Sequence, residues 1–217
     1  MAWGRADPLP RRLDGSAKVI VIGQDPAADE DVARRILVGA AGQRVQGFLR
    51  KIGLVRSYVM VNTFLYGLRG QMDQQAKQIS ASAAIKNWRN QLLDMLKTPQ
   101  IQAILAFGAG AHQVASLWPG SSGLFVAQLT HPSARDDASL LANWNNWLPQ
   151  VQTRVTADPG GTKDPTPYGT KFKKADLGPI PARDFAFGTP KWMGNGDMAW
   201  LLPTGNQITW KATAAEG

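Results

Sequence analysis

The stretch VIVIGQDP, residues 19–26, decides the fold of this 217-residue chain. Its first four residues form the pattern of a short buried strand, and Gly23 and Pro26 predict a turn directly after it. A strand that ends in such a turn puts Asp25 at the carboxyl edge of a sheet. In open α/β folds, that edge is where ligands bind and chemistry takes place.

Strand and helix patterns alternate along the chain around this stretch. Strand patterns lie near residues 17–22, 57–62, 101–107 and 124–130. A short helix, Ala109 to Leu117, and three apolar stripes at helical spacing lie between and after them, and we interpret the stripes as core faces. The stripes are Val45, Phe48, Leu49 and Ile52, ended by Gly53; Ile85, Trp88, Leu92 and Met95; and Leu140, Trp144, Trp147, Leu148 and Val151. The order predicts a three-layer α/β/α sandwich with a central four-stranded, mostly parallel sheet.

The two ends of the chain differ in composition from this α/β region. Residues 1–16 are rich in proline and arginine, and we predict an irregular lead-in. Residues 17–153 form the predicted α/β domain. Residues 154–217 contain half of the prolines with scattered aromatic and lysine residues, which predicts an irregular, basic extension. Its aromatic side chains either pack back on the core or form an arm that contacts nucleic acid.

The charge and the cysteine content limit the classes of function. The formal net charge of +8 favours a polyanionic partner, with nucleic acid first. The absence of cysteine excludes disulfides, thiol catalysis, thiolate zinc sites and iron–sulfur clusters. No apolar run approaches the roughly 20 residues of a membrane span, and the first residues lack the apolar stretch of a secretory signal. We therefore expect a cytoplasmic protein without a membrane partner.

Three of the predicted strand ends carry polar side chains. Asp25 follows the first strand, Asn62 closes the second and His131 follows the fourth. Because the carboxyl ends of parallel strands share one edge, we expect these side chains at the same edge of the sheet. A carboxylate, an amide and an imidazole there can activate water, read the edge of a base and stabilise an anion.

Four short strings at predicted strand ends, and a fifth string ahead of the first helix, resemble the motifs of one family. They are GQDP at 23–26, VGAAGQ at 38–43 ahead of KIGL at 51–54, YVMVN at 58–62, FGA at 107–109 and HPS at 131–133. In this order they resemble the uracil-DNA glycosylase superfamily over roughly residues 17–150. GQDP is similar to the water-activating motif of the best-known branch, whereas VGAAGQ is similar to the iron–sulfur branch.

The chain departs from both branches at the base pocket. Ala27 and Ala28 stand where the best-known branch has tyrosine and histidine, which leaves the exclusion of thymine open. Leu37 occupies the slot in which the iron–sulfur branch places a base-stacking phenylalanine. The cluster cysteines are absent. The chain therefore resembles a divergent branch.

The resemblance implies a role for each residue at the strand ends. As catalytic residues, Asp25 would stabilise the positively charged sugar and orient the attacking water, and His131 would donate to uracil O2. The predicted uracil-binding residues are Asn62, which complements O4 and N3–H of the base, with Gln24, Ala27 and Leu37. The predicted DNA-binding residues are Gly108, Ala109, Ser133 and Arg135, the last as a wedge or a phosphate contact.

Three further residues receive weaker predictions. Phe64 and Tyr66, just after Asn62, are candidates for stacking on the base, although core roles are favoured for both. His112 lies in the helix after the third strand, where it is expected at the surface or facing phosphate, with a structural role favoured. The resemblance implies no metal, no cofactor and a monomeric protein whose partner is DNA containing uracil.

The favoured function is a monofunctional DNA glycosylase that excises uracil by base flipping, as a step of base excision repair, and leaves an abasic site. No motif places a lysine for lyase chemistry, so we predict no strand nicking. A glycosylase of wider or different range would act on thymine or modified uracil in mismatches, or on deaminated purines. A non-catalytic uracil-DNA-binding protein on the same scaffold is the other alternative. A generic nucleotide-binding enzyme is disfavoured, since neither glycine-rich phosphate motif is present.

Overall fold

The computed structural model describes residues 15–26, 30, 36–64 and 78–181. The chain divides into two compact units, Arg11–Ile180 and a second made of Met1–Pro10 and Pro181–Gly217. All the helices and strands described below belong to the unit Arg11–Ile180. The division of the chain at residues 16 and 153 stays a prediction.

Four five-residue strands form a single parallel sheet. They are β1 (Val19–Gly23), β2 (Tyr58–Asn62), β3 (Ala103–Phe107) and β4 (Phe125–Leu129). Their order is β2-β1-β3-β4, and every neighbouring pair is parallel. The chain order therefore reverses between β1 and β3, which makes the gap beyond their carboxyl ends a topological switch point.

Helices cover both faces of this sheet. They are α1 (Ala40–Lys51), α2 (Ala83–Leu96), α3 (Ala109–Leu117) and α4 (Asp137–Arg154). Val19 and Val21 pack into a core with α1 and α4. Ile20 and Ile22, whose side chains point the other way, pack into a second core with α2 and α3. The predicted three-layer α/β/α sandwich is confirmed. Among the described helices, none is long and apolar enough to cross a bilayer.

The core face predicted for α2 is wrong. Trp88 and Met95 of the predicted stripe are 39% and 81% exposed, whereas the buried residues of the helix are Arg89 and Leu93. Leu92 and Leu93 lie on two adjacent faces of the helix. Hydrophobic spacing favours the face of Leu92, because the face of Leu93 also contains Arg89. Arg89 Nη2 donates to the carbonyl oxygen of Ser80 at 2.8 Å.

Residues 155–180 run back along α1 and α4 and are fixed by charged side chains. Asp158 accepts hydrogen bonds from the backbone N–H groups of Val55, Arg56 and Ser57, at 2.8 to 3.0 Å, and from Lys18 Nζ at 3.0 Å. Burial alone would raise the pKa of Asp158, but these backbone hydrogen bonds, with one from the Ser57 side chain, hold its pKa far below the ordinary value. This carboxylate ties the extension to the loop before β2.

A second ion pair lies near the end of α1. Lys51 Nζ contacts Asp164 Oδ2 at 2.6 Å and donates to the carbonyl oxygen of Thr166 at 2.9 Å. The hydrogen bond from Lys51, followed by those from Thr166, lowers the pKa of Asp164 to about 2. The carboxylate therefore stays ionised and paired over the whole neutral range.

Aromatic rings and glycines complete the contact between the extension and the helices. Tyr168 and Phe172 meet Trp144 edge-to-face, with centroid distances of 5.8 and 5.6 Å. A Cβ atom built on Gly47 of α1 would lie 1.8 Å from the carbonyl oxygen of Asp176. Only a residue without a side chain allows the extension to lie this close to the helix.

Candidate active site at the carboxyl edge of the sheet

Asp25 and Asn62 lie on adjacent strands at the carboxyl edge. Gly23 is the register partner of Asn62, and the pairing continues beyond the strands, because the Phe64 N–H donates to the Gln24 carbonyl oxygen at 3.0 Å. A Cβ atom built on Gly23 would lie 2.7 Å from Asn62 Oδ1. The amide of Asn62 therefore lies against the bare backbone of β1, immediately before the turn that carries Asp25.

Gln24 and His131 converge over the end of β3, although their own strands, β1 and β4, are not neighbours. A Cβ atom built on Gly108 would lie 3.1 Å from His131 Cδ2 and 3.3 Å from Gln24 Oε1. Gly108 also has φ 93° and ψ 166°, a conformation essentially restricted to glycine. This residue lets the side chains of β1 and β4 approach one another across the switch point.

The His131 ring is oriented by a hydrogen bond from its own loop. The Ser133 N–H donates to His131 Nδ1 at 3.2 Å. When Nδ1 accepts this hydrogen bond, the proton of the neutral imidazole lies on Nε2. In this tautomer Nε2 is a hydrogen-bond donor, which is the group needed to meet negative charge on a leaving base.

The end of β4, from which this loop starts, is fixed from two helices. The carbonyl oxygen of Leu129 accepts from the Gly108 N–H at 2.9 Å and bonds with His112 Nε2 at 2.8 Å, so His112 has a structural contact. From α4, Asn143 Oδ1 accepts from the Thr130 N–H at 2.8 Å. Trp144 Nε1 donates to the Thr130 carbonyl oxygen at 2.9 Å. The loop that carries His131 therefore starts from a strand end that is fixed by hydrogen bonds.

The described residues of the predicted catalytic and base-binding site range from half-buried to buried. Gln24, Asn62, Asp25 and His131 are all half-buried, as accessible site residues must be. Leu37 is buried, has φ 55° and donates its N–H to Glu30 Oε1 at 2.6 Å. Such a left-handed conformation is uncommon outside glycine and often occurs at functional sites.

The other predicted pocket residues divide between the core and undescribed positions. Phe64 is 6% exposed, and its ring lies 3.6 Å from a Cβ built on Gly110. It is thus a core residue next to Gln24, as favoured from the sequence. Ala27 and Tyr66 lie outside the described residues. The roles of Ala27 and Leu37 toward a base stay predictions.

The predicted DNA contacts lie on the same edge. Gly108 is the N-cap of α3 and Ala109 its first residue, so this helix begins at the carboxyl end of β3 and its first N–H groups point toward that edge. Ser133 and Arg135 are exposed in the loop between His131 and α4. Among the described residues, no group of three or more histidine, aspartate and glutamate side chains could hold a metal ion.

A cavity elsewhere in the described part of the chain shares no residue with these strand ends. It lies between the last turn of α1 and the extension, and Lys51, Asp164 and Asp176 line it. Because α1 runs away from the carboxyl edge, this cavity belongs to the opposite end of the sheet. It has no part in the chemistry considered below.

Two contacts that shape the site were not predicted from the sequence. The closeness of Gly23 to Asn62 depends on strand register, which motif spacing does not report. Arg44 of α1 donates to the Pro132 carbonyl oxygen at 2.8 Å, inside the His131 loop. In the sequence, Arg44 is recognisable only as a charged residue directly before the apolar position Val45, in a helix that is mostly buried.

These strand ends and their order along the chain define a member of a known family. The model of the uracil DNA glycosylase superfamily matches residues 10–148, more than half of the chain. The chain therefore belongs to the uracil DNA glycosylase superfamily. Membership supports a hydrolase of the DNA glycosylase type, with DNA as its partner. No curated protein was found to match the chain.

Proposed function

We propose that this protein is a monofunctional glycosylase that hydrolyses the N-glycosidic bond of uracil in DNA. The observation that carries the proposal is the arrangement of Asp25, Asn62 and His131 at one edge of the sheet, around a switch point that glycines keep open. The reactive bond of a base is inaccessible while the base is stacked in a duplex, so base flipping is part of the proposal.

Asp25 acts on the sugar side of the bond. As the bond breaks, positive charge develops on the deoxyribose, and a carboxylate stabilises that charge by direct electrostatic attraction. The same carboxylate orients a water molecule for attack on the sugar carbon. The water replaces the base and yields an abasic site. In this mechanism no lysine of the protein forms a Schiff base, so the DNA strand stays intact.

Asn62 reads the base. Its side chain has an NH2 group that donates and an oxygen that accepts, which matches O4 and N3–H of uracil. Cytosine has an amino group and an unprotonated nitrogen at these two positions, so each hydrogen bond would face the wrong partner. Packing against Gly23 limits the freedom of the amide, and a fixed polar group rejects the wrong base more strongly than a mobile one.

His131 acts on the departing base. Its Nε2–H donates to uracil O2 as negative charge develops there, and a neutral imidazole is sufficient for this role. The loss of one such donor typically costs about 10²- to 10³-fold in rate. The N–H groups at the start of α3, with Ser133 and Arg135, would bind the phosphates on either side of the flipped nucleotide.

A wider substrate range is the second candidate, and Ala27 favours it. An alanine leaves space near C5 of the base where the best-known branch of the family has a tyrosine. Thymine or a modified uracil opposite guanine would then be accepted. We further propose that the protein acts as a monomer in the cytoplasm.

The test is an excision assay on labelled oligonucleotides without added metal. Uracil is offered in single strands and opposite guanine or adenine, with thymine and hypoxanthine as controls, and abasic sites are revealed by alkali. We expect cleavage after alkali but no nicking before it. Asn62→Asp should weaken the preference for uracil over cytosine, and unchanged selectivity would mean that another group reads the base. Tight binding of uracil-containing DNA without excision would instead indicate a non-catalytic binding protein.

A further inference from the structure

Arg44 connects three separate parts of the protein. From α1, its Nη1 atom donates to the Pro132 carbonyl oxygen at 2.8 Å and forms an ion pair with Asp137 Oδ1 at 3.1 Å. Its Cζ atom lies 4.2 Å from the centroid of the Phe172 ring. The guanidinium therefore contacts the His131 loop, the first residue of α4 and the extension at the same time.

The Pro132 carbonyl belongs to a peptide group that also contacts His131. The carbon atom of this carbonyl is bonded to the nitrogen of Ser133, whose N–H donates to His131 Nδ1 at 3.2 Å. A peptide group is planar, so fixing its oxygen also fixes the direction of its N–H. A cationic donor on the oxygen polarises the group and strengthens the hydrogen bond that the N–H makes.

We propose that Arg44 is a positioning residue that sets the orientation and the tautomer of His131 through the Pro132–Ser133 peptide. The inference rests on the proposed function, in which the Nε2 proton of His131 meets the leaving base. Arg44 itself touches neither base nor sugar in this account.

Phe172 gives the extension a part in the same arrangement. Its ring lies under the guanidinium and meets Trp144, whose Nε1 donates to the carbonyl oxygen of Thr130. Cation–π contact and the ion pair with Asp137 hold the arginine in a single position. The extension thus contacts Arg44 and Trp144, the two side chains that hydrogen-bond to the backbone on either side of His131.

The sequence contains two histidines, which makes the tautomer directly measurable. In a long-range ¹H–¹⁵N spectrum of DNA-free protein, we expect His131 with its proton on Nε2. In Arg44→Met, the His131 signals should move toward a mixture of both tautomers. His112 is an internal control, because its bond to the Leu129 carbonyl does not involve Arg44.

The matched control variant is Arg50→Met on the same helix. Arg50 is exposed, and its Nη1 donates to the Leu177 carbonyl oxygen of the extension at 3.5 Å. It should leave both histidines unchanged. If Arg44→Met does not fold, Phe172→Leu keeps the apolar packing and removes the ring under the guanidinium, and it should shift His131 in the same direction to a smaller extent.

Single-turnover kinetics give the second readout. Arg44→Met should lower the excision rate at saturating enzyme roughly 10- to 100-fold, the effect of a small misplacement of a reacting group, with DNA affinity changed by less than about threefold. Both acceptors of Arg44 are contacted by its Nη1, so the ammonium of Arg44→Lys should restore part of the rate.

Unchanged His131 signals in both Arg44→Met and Phe172→Leu would overturn the inference. It would also be overturned by weaker DNA binding with an unchanged rate and a salt dependence reduced by about one phosphate contact, which would make Arg44 a phosphate ligand. If the wild-type protein excises no uracil, the proposed function fails, but the spectra of the DNA-free protein still decide whether Arg44 sets the tautomer.

Discussion

Gly108→Ala should damage the site through two effects that can be separated. The backbone there has φ 93° and ψ 166°, and holding a non-glycine residue in this region costs about 1–3 kcal/mol. The new Cβ would also lie 3.1 Å and 3.2 Å from two carbons of His131 and 3.3 Å from Gln24 Oε1, all closer than ordinary van der Waals contact. Crowding of this kind typically costs a further 1–3 kcal/mol.

The crowding can be relieved only by moving the side chains of the site. The neighbours must shift by a few tenths of an ångström, and His131 is held from the other side by the Ser133 N–H. Because a misplacement of 1 Å can cost about 10²-fold in rate, we expect the single-turnover excision rate to fall by roughly 10- to 100-fold. Urea unfolding should report a loss of about 2–6 kcal/mol, the sum of the strain and the crowding.

Gly123→Ala is the matched control for backbone strain. Gly123 has φ 79°, and no atom lies within 4 Å of a Cβ built there. It should lose about 1–2 kcal/mol of stability from the left-handed conformation alone and keep the wild-type rate. If Gly108→Ala excises uracil at the wild-type rate and is no less stable than Gly123→Ala, the convergence of His131 and Gln24 over Gly108 is refuted.

Gly23→Ala should displace the Asn62 amide, since the new Cβ would lie 2.7 Å from its Oδ1; uracil-over-cytosine selectivity should fall in competition assays, and retained selectivity would contradict the assigned contact. Asp158→Asn should destabilise the protein at pH 7 by about 2–4 kcal/mol, because three backbone N–H groups lose a charged acceptor. The pKa of Asp158 is lowered by folding, so its contribution to the free energy of unfolding is present above about pH 4 and is lost as the pH falls further. Urea unfolding at pH 7 and pH 3 should therefore show a smaller stability difference between variant and wild type at pH 3. Truncation after Val155 removes Asp158 and the rings on Trp144, and it should lower the Tm by about 10 °C or more, or abolish solubility; an intact Tm with weaker DNA binding would favour a nucleic-acid arm instead.

The fold could be predicted from the sequence because its local patterns agree with its topology. The run at residues 19–22 is buried on both faces, as a central parallel strand must be, and all four predicted strands match the structure within two residues. The buried face of α2 could not be predicted from local patterns. Arg89 is buried with its Nη2 on the Ser80 carbonyl oxygen, a contact that hydrophobic spacing does not report.

The composition of the site could also be anticipated, but the contacts that shape it could not. Asp25, Asn62 and His131 follow from motifs at strand ends, since parallel strands bring their ends to one edge. The role of Gly108 depends on side chains from two non-adjacent strands. The contact of Arg44 with the Pro132 carbonyl joins residues 88 positions apart, so no local sequence pattern reports it.

Asp25→Asn provides the most direct test of the central claim that these strand ends form a uracil-excising site. The substitution keeps the shape of the side chain and removes its charge. The decisive measurement is the single-turnover rate of uracil excision by wild type and Asp25→Asn, together with the affinity of each for uracil-containing DNA. We predict that the rate falls at least about 10²-fold, because a positioned catalytic group contributes about this much, while the affinity stays within a few fold. An Asp25→Asn protein that excises uracil at the wild-type rate would contradict the account.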